Sequence, residues 1–285
     1  MKLKNKTKEK AAACLFILPS LIGAVFLYVL PYIICFIASL YNGSEFAGIS
    51  NYINLFKNEI FRTAFLNTLV FNVIAIPLLM VISFLLANFI NSLKRFSFII
   101  KCALLVPVIA PSASLVSIWN VMFDDFGVIN GLLNKIGLPM IEFFNSRFSM
   151  VMIILIFIWK YCGFCVVLFS LGISNISSSI IESAKLDGAG YFQIMRKITV
   201  PLVVPTGFFV LIMETIYSFK IFREILLLCG RYPNKNIYFL QNYINNNYYN
   251  MSFSKLTASS ILMSVFIVIV LLAAFLFEKK HSNSE

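Results

Sequence analysis

Two sets of residues in this 285-residue chain combine type and spacing in a way that points to chemistry or recognition. Lys160, Glu214 and the thiol pair Cys162-Gly-Phe-Cys165 lie inside apolar runs, and a polar stretch, Ser179 to Pro201, lies between two such runs. Cys162 and Cys165 have the spacing of a redox pair or of half a zinc site. A structural zinc needs four ligands, however, and the chain has no second thiol pair and a single histidine, His281. The cysteines read as small packing residues, so no metal and no cofactor is expected. Catalysis by acid, base or nucleophile needs converging groups, and no such constellation is present, so the chain does not read as an enzyme. A charge inside a membrane span costs about 2.5–3.5 kcal/mol on insertion scales, so Lys160 and Glu214 should face a cavity or partner and line a solute path, unless Lys160 snorkels or the two pair across helices. Trp159, Tyr217, Phe219 and Phe222 lie near them in sequence and offer ring faces on which a solute with an apolar face could stack. Packing and lipid contact compete for that role in a chain with 30 phenylalanines.

The chain is 60% hydrophobic and 12% charged, with mean hydropathy +0.90. A soluble domain of that composition aggregates, whereas lipid solvates the outside of a membrane fold. The formal charge of +11 comes without a basic stripe interleaved with exposed aromatics. Membrane lipid is therefore the expected partner, and nucleic acid is not. Crossing about 30 Å of hydrocarbon takes roughly 20 apolar residues. Runs at 11–40, 64–90, 99–122, 150–173, 202–222 and 256–277 meet that length. The reading is an all-α polytopic membrane protein with six transmembrane helices. A basic tail (1–10) and a first helix (11–40) precede a membrane domain (63–277), and a tail (278–285) follows it. The first run is longer than a cleaved leader and has no small-residue cleavage site, so it reads as a retained helix.

An even number of spans places both termini on one side. The lysines of tail 1–10 assign that side to the cytoplasm, because the first helix usually dominates orientation. Segment 124–149 then lies outside as a turn-rich loop with a short helix on the membrane face. The Asn- and Tyr-rich segment 223–254 lies outside as well.

The connector 174–201 falls on the cytoplasmic side. It reads as a helix, a turn and a second helix. Ser179 with Glu182 three residues on has the pattern of a capping box. Gly188 stands where a glycine ends a helix in the left-handed conformation. Tyr191, Ile194, Met195 and Ile198 recur at helical spacing, and Pro201 is expected to stop the pattern before the next span. The small residues Ser183, Ala184, Gly188 and Ala189 permit close approach of another surface, and Glu182 and Asp187 can pair with it. From the residues alone, a docking element and an interfacial hairpin that only tidies the loop are equally good readings.

The stretch resembles the signature loop of permease subunits of binding-protein-dependent ABC importers. Glu182, Ala184, Asp187, Gly188, Ala189, Gln193, Ile198, Pro201 and Pro205 stand in register with it, and Ser183, Met195 and Val200 depart from it conservatively. More loosely, Leu18-Pro-Ser-Leu-Ile-Gly23, Asn67-Thr68, Gly127-Val-Ile-Asn130, Trp159…Gly163 and Ser218-Phe219-Lys220 with Phe222 resemble the sugar-type subfamily. Gly230-Arg-Tyr-Pro233 stands where that subfamily usually has Gly-Gly-Pro. The resemblance implies a type I importer fold, a second homologous permease subunit, two ATP-binding subunits and an extracellular solute-binding protein. It makes the connector the coupling element for the ATPase and a sugar the cargo. The chain has no Gly-x-x-x-x-Gly-Lys-Ser/Thr loop, so hydrolysis is expected on a partner. A secondary transporter or channel working without an ATPase is the alternative, although no internal repeat supports it.

Overall fold

The computed structural model describes residues 15–93 and 96–282, with side chains through Leu276. Tail 1–10, residues 11–14 of the first expected span, Lys94, Arg95 and residues 283–285 lie outside the described residues.

Long apolar stretches form helices because lipid offers no hydrogen bonds to a bare backbone. The helices are α1 (Leu15–Ser39, with a π-helical turn at Val25–Val29), α2 (Ser50–Lys57), α3 (Glu59–Ser92), α4 (Ser97–Ile109), α5 (Ser112–Phe123), α6 (Val128–Lys135) and α7 (Ser149–Ser174). They continue with α8 (Ser178–Leu186), α9 (Tyr191–Ile194), α10 (Val200–Lys220), α11 (Phe222–Cys229), α12 (Leu240–Tyr249) and α13 (Phe253–Ser282). Among the described residues, five helical stretches are long and apolar enough to cross a membrane, and a bent pair makes a sixth when taken as one span.

That bent pair is the main departure from the expected helices. The run 99–122 is not continuous: α4 ends at Ile109, α5 starts at Ser112, and α4 meets the stretch Ser112–Lys135 at 96°. Pro111 is the cause. A residue before proline is pushed out of the helical region, and Ala110 is extended at φ −65°, ψ 144°. Segment 223–254, expected as a loop, instead holds α11, a 3-10 turn (Lys235–Ile237) and α12. The short helix expected within 124–149 is α6.

By internal packing the chain divides into two units: residues through Asn58 with Ile244–Ser264, and Glu59–Tyr243 with the residues from Val265 on. In the first, α1 is apolar and exposed on all sides, as a lipid-facing helix should be. Its end is fastened locally. Asn51 Nδ2 donates to the carbonyls of Ser39 (2.9 Å) and Tyr41 (3.0 Å), and a two-stranded hairpin (β1, Tyr41–Asn42; β2, Glu45–Phe46) follows. In the second unit α7 is the hub. It packs on α3, α4 and α10, and the core around it includes Phe71, Leu79, Ile153, Phe157, Val166 and Val210.

Candidate functional site

The connector between α7 and α10 projects as two short helices, and its turn is built by backbone hydrogen bonds. Ala189 N–H donates to Ala184 O (2.9 Å) and Gly188 N–H to Lys185 O (3.0 Å), the two bonds of a Schellman turn. Gly188 sits at φ +82°, where a side chain is disfavoured. Asp187 caps α8. Two local expectations need correction. The Ser179–Glu182 capping box does not form, because α8 starts at Ser178 with Ser177 as its cap, and the Ser177 and Ser179 hydroxyls bond each other at 2.7 Å. The reach-back capping contact belongs to the next helix, where Gly190 N–H donates to the Gln193 side chain at 3.1 Å. Pro201 does not stop the helix either. A π-helical turn at Met195–Thr199, closed by Val200 N–H to Met195 O, widens the helix by one residue and absorbs a ring that has no N–H to give.

Glu182, Ser183, Asp187, Gly188 and Gln193 are exposed, and Ala184, Ala189, Ile198 and Pro201 are half-buried. Ile194 is buried and anchors the second helix. Sequence reasoning missed three of the hairpin's most prominent groups. Leu186 is 89% exposed, Phe192 76% and Tyr191 63%. Tyr191 was legible only as one of four residues at helical spacing, with no direction assigned. The signal for the other two was their position, just before Asp187-Gly188 and just after Gly190. Large apolar side chains are thus exposed on the same hairpin as the carboxylates of Glu182 and Asp187.

The in-span residues do not gather in one place. Lys160 pairs with Glu224 on α11, not with Glu214 as the pairing alternative had it. Glu224 was missed because it had been assigned to an outer loop, and the apolar run Ile225–Cys229 directly after it was the available signal. Glu214 is fully buried and accepts a hydrogen bond from the Cys165 thiol at 3.0 Å. Tyr217 stacks on Tyr161 (4.9 Å between centroids, 12° between planes). Trp159, 40% exposed, meets Trp119 edge-on at 5.6 Å. Phe219 and Phe222 border a small gap with Thr68, Phe71, Phe239 and Gln241.

Side-chain amides hold the segments at the opposite ends of these helices. Asn67 Nδ2 donates to the carbonyls of Lys235 (2.6 Å) and Tyr238 (3.1 Å), and Thr68 Oγ1 accepts from Leu240 N–H at 2.9 Å. Buried Asn130 donates to Asp124 O (3.1 Å) and Ile141 O (3.0 Å) and accepts from Ile141 N–H (3.0 Å). Asn130→Ala is expected to cost about 2–3 kcal/mol by removing all three bonds. Limited proteolysis should then show faster cleavage between α6 and α7.

The family described as "Binding-protein-dependent transport system inner membrane component" matches residues 46–282. Among curated relatives, the sn-glycerol-3-phosphate transport system permease protein UgpA of Yersinia pestis is 32% identical over 178 residues, which is 62% of this chain and 60% of that protein. The chain thus spans about three fifths of the length of the relatives of that kind. The lactose transport system permease protein LacF of Rhizobium radiobacter is 28% identical over 274 residues, covering 92% of this chain and 90% of that protein. A solved bacterial alginate ABC transporter, in complex with an alginate pentasaccharide-bound periplasmic protein, superposes at TM-score 0.84 and 24% identity, covering 96% of each chain. At that identity the shared property is the fold, and it is the type I importer-permease fold.

Proposed function

The chain belongs to the family of inner membrane components of binding-protein-dependent transport systems, and from that premise we propose that it is the permease subunit of an ATP-driven importer. The family is one of transport components and not of enzymes, and the chain is a multi-pass membrane protein. The observation that carries the finer reading is the hairpin α8–α9. It is an exposed Schellman-turned element that presents Glu182 and Asp187, which match the family's loop, beside the exposed side chains of Leu186 and Phe192. In this reading the hairpin seats in a cleft of an ATP-binding subunit. Glu182, Ser183, Ala184, Asp187, Gly188, Ala189, Gln193, Ile198 and Pro201 form or support the contact. Closure of two ATP-binding subunits then moves α8–α9 as a lever and shifts the spans between two packed arrangements.

The assembly contains a second, similar permease, two ATP-binding subunits and an extracellular binding protein, in a cell membrane with both termini of this chain cytoplasmic. The cargo is a sugar or oligosaccharide, a reading supported by relatives that carry glycerol phosphate and lactose in their names. Along the pathway the half-exposed rings of Trp159, Tyr217, Phe219 and Phe222 supply stacking faces, while Lys160 and Glu214 act from within the wall. Reconstitution with these partners in proteoliposomes tests the reading. Sugar uptake should require both ATP and the binding protein, and uptake independent of ATP would contradict it.

A further inference from the structure

Away from the hairpin, three polar side chains from three elements converge. Ser112 opens α5 directly after the Ala110–Pro111 break, Lys160 lies midway along α7, and Glu224 lies on α11 just after α10 ends. Lys160 Nζ and Glu224 Oε1 form an ion pair whose side chains are 9% and 1% exposed. The Ser112 hydroxyl donates to the same carboxylate oxygen at 2.7 Å, and Lys160 Nζ lies 3.3 Å from the Ser112 oxygen. The cluster thereby ties two helix interruptions, and the packed pair α5 and α11, to the hub helix α7.

A passive strut at this position would be better satisfied. Glu224 Oε2 is buried with no hydrogen bond among the described residues, although a carboxylate accepts about four. The Lys160 ammonium has three donors and, among the described residues, bonds Ser112 and Glu224, with the Tyr161 ring 5.3 Å away. A half-satisfied buried ion pair is less favourable than apolar side chains of the same volume. It is suited to a contact whose partners change, because a shift of α5 and α11 away from α7 would let water or new groups reach the unpaired oxygen and the spare donor. We propose that Lys160, Glu224 and Ser112 form a latch that holds the α5–α11 layer on α7 in the arrangement seen here and opens during each access change. The proposal rests on the reading of the chain as an importer permease.

The test uses the full complex in proteoliposomes, with E224Q, K160M and the charge reversal K160E/E224K. Two quantities are read: ATP hydrolysis without loaded binding protein, and its stimulation when loaded binding protein is added. With the latch weakened, E224Q and K160M should raise unstimulated hydrolysis about five-fold or more and reduce stimulation correspondingly. The reversal, in which Ser112 can still bridge, should restore stimulation to near wild type. Loss of protein from the membrane without a change in the ratio of stimulated to unstimulated hydrolysis would mark a structural role only and overturn the latch. Wild-type ratios in both single variants, or a reversal that behaves like them, would overturn it too. Should K160M fail to accumulate, the near-isosteric E224Q and the reversal decide the matter. A wild-type complex that hydrolyses no ATP would overturn the importer reading and the latch with it, an outcome distinct from normal wild-type coupling with unaffected variants.

Discussion

Gly188→Val should sharply reduce ATP-driven uptake while the protein remains in the membrane. The hairpin turn needs φ +82° at this residue. Left-handed backbone costs an ordinary L-residue about 1–2 kcal/mol, and a β-branched one more. Crowding is not involved, because a Cβ at Gly188 would meet nothing within 4 Å. The valine variant relieves its strain by unwinding the turn, which breaks the Ala189–Ala184 and Gly188–Lys185 bonds and shifts Leu186 relative to the second helix. Uptake should fall about ten-fold or more, since loss of one positioning contact of about 1.4 kcal/mol already changes an equilibrium ten-fold. Gly188→Asn, which tolerates the left-handed region, should retain most transport. Uptake in proteoliposomes, with immunoblotting of the membrane fraction, checks both. Normal transport by the valine variant would remove the lever role of the hairpin.

A second large effect is expected at Gly163, for a purely steric reason. A Cβ there would lie 1.8 Å from the Leu104 carbonyl oxygen and 2.3 Å from its carbon. The obstacle is the backbone of α4 and not a movable side-chain tip, so α4 and α7 cannot keep their packing once a methyl group is added. Overpacking of this kind costs about 3 kcal/mol or more. For a chain of this size that corresponds to a fall in Tm of roughly 6 °C or more. Gly207→Ala is the control, since its Cβ would meet only Phe169 and Met80 side-chain atoms at 3.8 and 4.0 Å. Thermal unfolding in detergent should separate the two variants clearly. Equal melting temperatures would contradict the packing argument.

These cases show what could be read before the structure and what could not. Hydropathy locates the spans because length and apolarity are set by the bilayer: 64–90 and 150–173 lie within α3 and α7, and 202–222 covers α10 but for its first two residues and runs past its end at Lys220. Hydropathy is insensitive to direction, so the right-angle break at Pro111 passed as one apolar run. The proline itself carried the information through its effect on Ala110. Gly188 was legible because a left-handed position selects a residue type. The misplaced capping box was not, because a shift of two residues in helix start moves the cap from Ser179 to Ser177. The pairing of Lys160 was beyond the sequence for a different reason. Glu214 is closer along the chain, but which carboxylate reaches Lys160 depends on how α10 and α11 turn at Ile221, and that is a tertiary property. Asn67, Thr68 and Asn130 were visible as motifs, yet their work, gathering carbonyls from segments far away in sequence, needs coordinates.

The central claim, that α8–α9 is the docking element for an ATP-binding subunit, is tested most directly by site-specific photocrosslinking in the reconstituted complex. A photoreactive residue replaces Leu186 or Phe192 in turn, with Phe126, 96% exposed at the other end of the helices, as the control. The account predicts an adduct with the ATP-binding subunit from positions 186 and 192 and none from 126. Absence of that adduct at 186 and 192, or an equal yield from 126, would contradict it.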